Sequence, residues 1–282
     1  MVILLNPLSL LIATAILMLA CGRATAAPIH DAARKGNARQ IEKLLKKKKD
    51  LVNLLDDKGK SPLHYAAEGS HEKAAELLLS NAADANARTR DGNVTPLMIA
   101  VGKKDAEMTA LLLANNADPN AMSSYAGAAL HIAAGTGNAE LMALLIRKGA
   151  DRNLQDRNEG WSPLHHAVFH GRHDIARMLL ADSVIVDARA HRSYTPLHLA
   201  AEKGDSAMVA LLLEFKADPN AVTVADRTPL HNASKKGRRA IVAMLLARGA
   251  DPTLKDEYGA TPLEEAVQYE HAEVVELLRA SQ

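Results

Sequence analysis

Aromatic side chains are scarce in this chain: two Phe, one Trp and five Tyr, 3% of 282 residues. Hydrophobic residues still make up 48%, so Ala and Leu must fill the core. That excludes a core built on large rings and points to helices packed closely together. A single Cys excludes an internal disulfide framework. Charge of one sign is also lacking, with 34 basic and 33 acidic residues, so no global field steers the chain to nucleic acid. Catalytic signatures are missing too: there is no G-x-S-x-G, no G-x-x-x-x-G-K-[ST] and no H-E-x-x-H. An enzyme reading therefore has no catalytic group to start from, and no cofactor is expected.

What is present begins with an uncharged run, "VILLNPLSLLIATAILMLAC" (2–21), followed by Gly22, Arg23 and "ATAAP". An apolar stretch ending in Ala24-Thr25-Ala26 reads as a secretory signal peptide over 1–26, cut before Ala27. No Lys or Arg precedes the run, and two rivals stay open. Its length also suits a membrane-spanning anchor, and "LMLAC" loosely resembles a lipobox in which Cys21 would be lipidated. All three readings place the remaining chain outside the cytoplasmic membrane, periplasmic, secreted or held there as a lipoprotein.

From Ala27 onward one pattern recurs. It runs "APIHDAARKGN" (27–37), "SPLHYAAEGSH" (61–71), "TPLMIAVGKKD" (95–105) and "AALHIAAGTGN" (128–138). It continues as "SPLHHAVFHGR" (162–172), "TPLHLAAEKGD" (195–205), "TPLHNASKKGR" (228–238) and "TPLEEAVQYEH" (261–271). The second residues of these segments lie 33 or 34 positions apart, and each segment is followed by a Leu-rich run such as "ELLLSNAADANA". Each part has a physical reading. Thr or Ser caps a first helix by accepting a backbone N–H. Pro at the next position gives up only an N–H that has no partner there. Leu and two Ala at i, i+3 and i+4 make a narrow packing face. Gly ends the helix, the Leu run buries a second helix, and "GAD" or "NAD" turns the chain.

The pattern resembles the ankyrin repeat, in T-P-L-H-x-A-A, the Leu run and G-A-D-x-N, over nearly all of 27–282. The resemblance implies an all-α solenoid of helix–turn–helix repeats joined by β-hairpin loops, about eight repeats including caps. Their bounds fall at about 27–60, 61–94, 95–127, 128–161, 162–194, 195–227, 228–260 and 261–282. It also implies a monomeric module that binds a protein on its hairpin tips and the exposed side of its first helices. Terminal repeats need polar outer faces; Arg34, Lys35, Arg39, Glu42 and Lys43 supply one end, Glu264, Glu265, Gln268, Glu270 and Glu273 the other. The run Lys46–Lys49 reads as a solvated helix end, where cations complement the dipole.

The segment "LHHAVFHGRHD" (164–174) holds four histidines. In the resemblance His165 is the structural motif histidine, and His173 starts a second helix. That leaves His166 and His170 four residues apart, too few for a metal centre of three or four ligands. Metal is therefore not expected, and a solvated or partner-facing pair is.

Differences between repeats mark the binding surface. Trp161, Phe169 and Tyr194 fall on the exposed columns of adjacent repeats, with Tyr125 in the preceding hairpin, and exposed aromatics commonly anchor interfaces. For Trp161 and Tyr194, packing on their own hairpins is an equal alternative. A basic column, Lys35, Lys103, Lys203 and Lys236 with Lys235 beside it, suits a partner with an acidic surface, though it also serves solubility. The expected partner-binding set is Tyr125, Trp161, His166, Phe169, His170, Tyr194, Lys203 and Lys236. Two further roles stay open: a small-molecule or metal-responsive sensor built on Trp161, His166 and His170, and a host-directed secreted effector. Met98 in place of the motif histidine, and Ala128-Ala129 in place of Thr-Pro, predict that 98–130 is the softest part of the stack. Hairpins 88–94 and 155–161 each carry one extra residue, which tips tolerate.

Overall fold

In a computed structural model, residues 27–181 and 184–281 are described. The segment 1–26, with its expected cleavage site and Cys21, lies outside them. No helix among the described residues is long and apolar enough to cross a membrane.

Among the described residues, sixteen α-helices fall into eight consecutive pairs. They are α1 (Pro28–Arg34) with α2 (Ala38–Lys47), α3 (Pro62–Glu68) with α4 (Glu72–Ser80), α5 (Pro96–Gly102) with α6 (Ala106–Ala114), and α7 (Ala129–Thr136) with α8 (Ala139–Arg147). The second half has α9 (Pro163–Phe169) with α10 (His173–Leu180), α11 (Pro196–Lys203) with α12 (Ser206–Glu214), α13 (Pro229–Lys235) with α14 (Arg239–Ala247), and α15 (Pro262–Gln268) with α16 (Ala272–Ala280). First helices of neighbouring pairs contact one another more extensively than second helices do. Small residues permit this: Ala66, Ala100, Ala133, Ala167, Ala200 and Ala233 are all fully buried between first helices. The stack therefore curves towards its first-helix side.

The expected cap chemistry gains a second partner, the ring, in the histidine repeats. In them the backbone N–H of the cap residue donates to the ring Nδ1, at 3.1 Å for Ser61–His64 and 3.0 Å for Ala128–His131. The hydroxyls of Ser61, Ser162, Thr195 and Thr228 lie 2.8–2.9 Å from that same nitrogen while closing a capping box with the histidine's backbone N–H, which donates to Thr228 at 3.3 Å. With Nδ1 accepting, Nε2 carries the proton and donates to the carbonyl that closes the next hairpin: Val94, Tyr194, Arg227 and Ala260 for His64, His165, His198 and His231. Each such ring ties a helix start to the following loop.

The hairpins differ from expectation as well. No β-strand forms among the described residues. Each loop closes on one backbone hydrogen bond, such as Asp56 N–H to Lys60 C=O at 3.0 Å or Thr223 N–H to Arg227 C=O at 3.0 Å. The loops starting at Thr89 and Asp156 close to Val94 and Trp161, one residue longer than the others. Below the tips an asparagine ladder links repeats. Asn53, Asn86, Asn120 and Asn220 each accept the backbone N–H of an aspartate in the next turn, at 2.7–2.8 Å.

At the ends, most of the polar set is exposed, but Glu265 is not. It is 5% exposed and paired with Arg227 of hairpin 223–227 at 2.5 Å, so it ties the last first helix back to that hairpin and does not face water.

Candidate partner-binding groove

The concave side is lined by the last residue of each hairpin and the exposed face of each first helix. Between hairpins 156–161 and 223–227 it carries an open cleft of about 490 Å³, with Trp161, Tyr194, Leu199, Glu202, Arg227 and Asn232 among its lining residues. A second cleft of about 390 Å³ adjoins it, sharing Leu199, Glu202 and Lys236 and adding Phe169, Lys203 and Arg238. The two form one trough across α9, α11 and α13.

Most of the expected aromatics meet here. Trp161 stacks on His165 with ring centroids 6.3 Å apart and touches Phe169 at 5.0 Å and, edge-on, His166 at 5.3 Å. Phe169 meets the edge of His170 at 5.1 Å and stays 40% exposed. The ammonium of Lys203 lies 4.1 Å above the Phe169 ring. Lys236 is exposed on the rim. Tyr125 does not join them: it projects from the tip of hairpin 123–127 at 72% exposure. It packs towards Gly92 of the preceding hairpin.

His166 and His170 separate in role. His166 Nε2 is 2.9 Å from Asp156 Oδ2, and the pair is largely enclosed. Asp156 Oδ1 also accepts the backbone N–H groups of Asn158, Glu159 and Trp161. Burial pushes the Asp156 carboxyl up, but the His166 ring and these N–H donors outweigh it and hold it below its ordinary value. His166 thus pins the hairpin that presents Trp161. The His170 ring lies against Gly135 of the previous first helix, where a Cβ would come within 3.2 Å of it. Burial, then the charges of His166, Arg172 and Lys203, lower its pKa. Among the described residues the only trio of side chains able to close on a metal is Glu72, Asp105 and Glu107, at the surface and away from the trough.

Tyr194 is held in the trough floor. Its hydroxyl donates to Glu202 at 2.6 Å and accepts from Asn232 Nδ2 at 2.6 Å. Burial and Glu202 raise its pKa, so it stays a neutral phenol. Arg227 continues the floor, with Nη1 2.9 Å from Asp256 and 2.5 Å from Glu265. In the sequence Arg227 stands at the same repeat position as Trp161 and Tyr194, two before the register mark, whereas Asn232 lies outside the exposed columns. Arg192 and Arg238 escaped entirely, because they sit outside the columns and reach the trough through loop geometry.

The family model for ankyrin repeats (3 copies) matches residues 29–123, 97–190 and 197–282. The chain belongs to the ankyrin-repeat family, whose members are generally protein–protein interaction modules and typically non-enzymatic scaffolds. No curated protein matches it.

Proposed function

We propose that the chain is a non-catalytic binding module that holds one protein partner in the concave trough from Trp161 to Lys236, and that it does so outside the cytoplasmic membrane. The observation that supports the site is the trough itself. It is the place where an exposed aromatic surface, Phe169 on Trp161, adjoins the cations of the basic column, Lys203, Lys235 and Lys236. Exposed rings supply apolar area at low entropic cost, and rim cations steer an acidic surface to it. The export reading is supported by the apolar 2–21 run and the Ala24-Thr25-Ala26 site, and cell fractionation with an antibody to the repeats tests it. Recovery of the repeats with cytoplasmic markers would overturn export.

The binding reading is tested by affinity capture from an envelope extract. One bait is the native chain; the other carries Phe169→Ala, Lys203→Glu and Lys236→Glu, three side chains outside the hydrophobic core. A protein retained by the native bait and lost by the variant, with both baits giving the same circular dichroism, is the expected result. Equal retention by both baits moves the site off the trough.

A further inference from the structure

We infer that the trough takes an extended acidic segment of a partner, with carboxylates flanking one apolar side chain. The inference rests on the proposed binding site and names the chemistry of its occupant.

The charge pattern carries the argument. Arg192, Lys203, Lys235, Lys236 and Arg238 rim the two joined clefts. Among the described residues none of the five forms an ion pair. Two of the ammonium groups rest on aromatic faces instead, Lys203 over Phe169 at 4.1 Å and Lys235 over Tyr269 at 5.0 Å. A cation on a ring keeps its N–H donors free, so a carboxylate can be added without displacing anything. Only Glu159 and Glu202 oppose them from within the trough, and Glu202 already receives the Tyr194 hydroxyl. The charge of the floor arginine is already matched, since Arg227 Nη1 is bound by both Asp256 and Glu265. The trough therefore presents an excess of positive charge around one apolar spot, Phe169 on Trp161 beside Leu199.

Shape narrows the occupant further. Each cleft has the volume of a few side chains, and their floor of Tyr194, Leu199 and Asn232 lies below hairpin tips that carry His191 and Arg192. A folded acidic surface meets the tips first, whereas a single extended strand with alternating side chains reaches both the floor and the rim. Nucleic acid is the weaker fit, because the chain as a whole is only +1 and the two glutamates lie in the path of a phosphate backbone.

The test is selection of a random-peptide library on the full chain, purified in the N-terminal form the producing cell leaves. The strongest peptide is then measured by fluorescence anisotropy. Selected sequences are expected to place Asp and Glu on both sides of a Leu, Phe or Trp. Lys203→Glu with Lys236→Glu should weaken that peptide about tenfold or more, and added salt should weaken it on the native chain. Phe169→Ala should weaken it while leaving the salt dependence in place. Selection of neutral or basic peptides, no selection at all, acidic peptides that bind the charge-reversed protein equally well, or displacement by a single-stranded oligonucleotide would each overturn the inference. The two readings fail separately. A captured protein that depends on the trough, with no acidic peptide selected, rejects the acidic segment alone. Capture that ignores the trough variant rejects the site itself.

Discussion

A neutral imidazole with Nδ1 free to accept is built into most repeats, and it sets how the protein responds to acid. Burial lowers the pKa of His131, His165 and His198 to about 4, and lowers that of His64 and His231. The backbone N–H aimed at Nδ1 has the same sense, because a proton there would face another donor. In the unfolded chain these rings titrate near 6.5. Between that value and about 4 the unfolded state binds more protons, so stability falls as pH is lowered through this window. Urea midpoints taken across the window should decline steadily; a constant midpoint would show that these rings are free to protonate in the folded stack. A second residue carries an equally definite expectation. Asp156→Ala removes the acceptor of three backbone N–H groups and of His166, leaving buried donors unpaired at a cost of about 2–3 kcal/mol. Denaturant unfolding reads that loss, and a change under half a kilocalorie, roughly the size of a neutral surface substitution, would contradict it. The motif histidines were legible in the sequence because they repeat at a fixed register. The role of His166 was not, because its partner Asp156 lies ten residues back and only the closed hairpin brings them together.

At the scale of elements, hairpin 123–127 stands apart. Tips of neighbouring hairpins are joined by backbone bonds, Arg90 to Lys58, Ser124 to Gly92, His191 to Glu159, Val224 to Arg192 and Glu257 to Ala225. No such bond joins hairpin 123–127 to hairpin 156–161. Met98 also gives it no histidine tie, and Thr95 merely accepts the Met98 N–H at 3.3 Å. With two links missing, its amides should exchange faster than those of the other tips, as measured by hydrogen exchange with mass spectrometry. Met98→His should slow that exchange and stabilise the chain by about 1 kcal/mol through a bond to the Gly127 carbonyl, in place of the Ser123 hydroxyl that now donates to it at 2.9 Å; unchanged exchange would place the softness elsewhere. Helix pairs and the two longer hairpins were both readable from periodicity. The absence of strands was not, since loops that close on one bond and loops that pair as ladders share the same turn residues.

The whole molecule turns variable positions into one surface. Close first-helix packing curves the stack, and curvature brings α9, α11 and α13 to a common trough. Column reading found Trp161, Phe169, Lys203 and Lys236 because each occupies a fixed place in its own repeat. It set Tyr125 beside them, although that residue sits on a separate tip. It passed over Arg192 and Arg238, whose reach depends on loop and helix-start geometry that no column records. This trough, and not the outer layer of second helices, is the proposed seat of the partner. The most direct measurement replaces Phe169 with the photoreactive analogue p-benzoylphenylalanine in the source cell, with the same group at Ala110, exposed on α6, as the comparison. Light should join a single protein to position 169 and leave position 110 without adduct. A protein joined at 110 and absent at 169 would put the partner on the outer face and contradict the account.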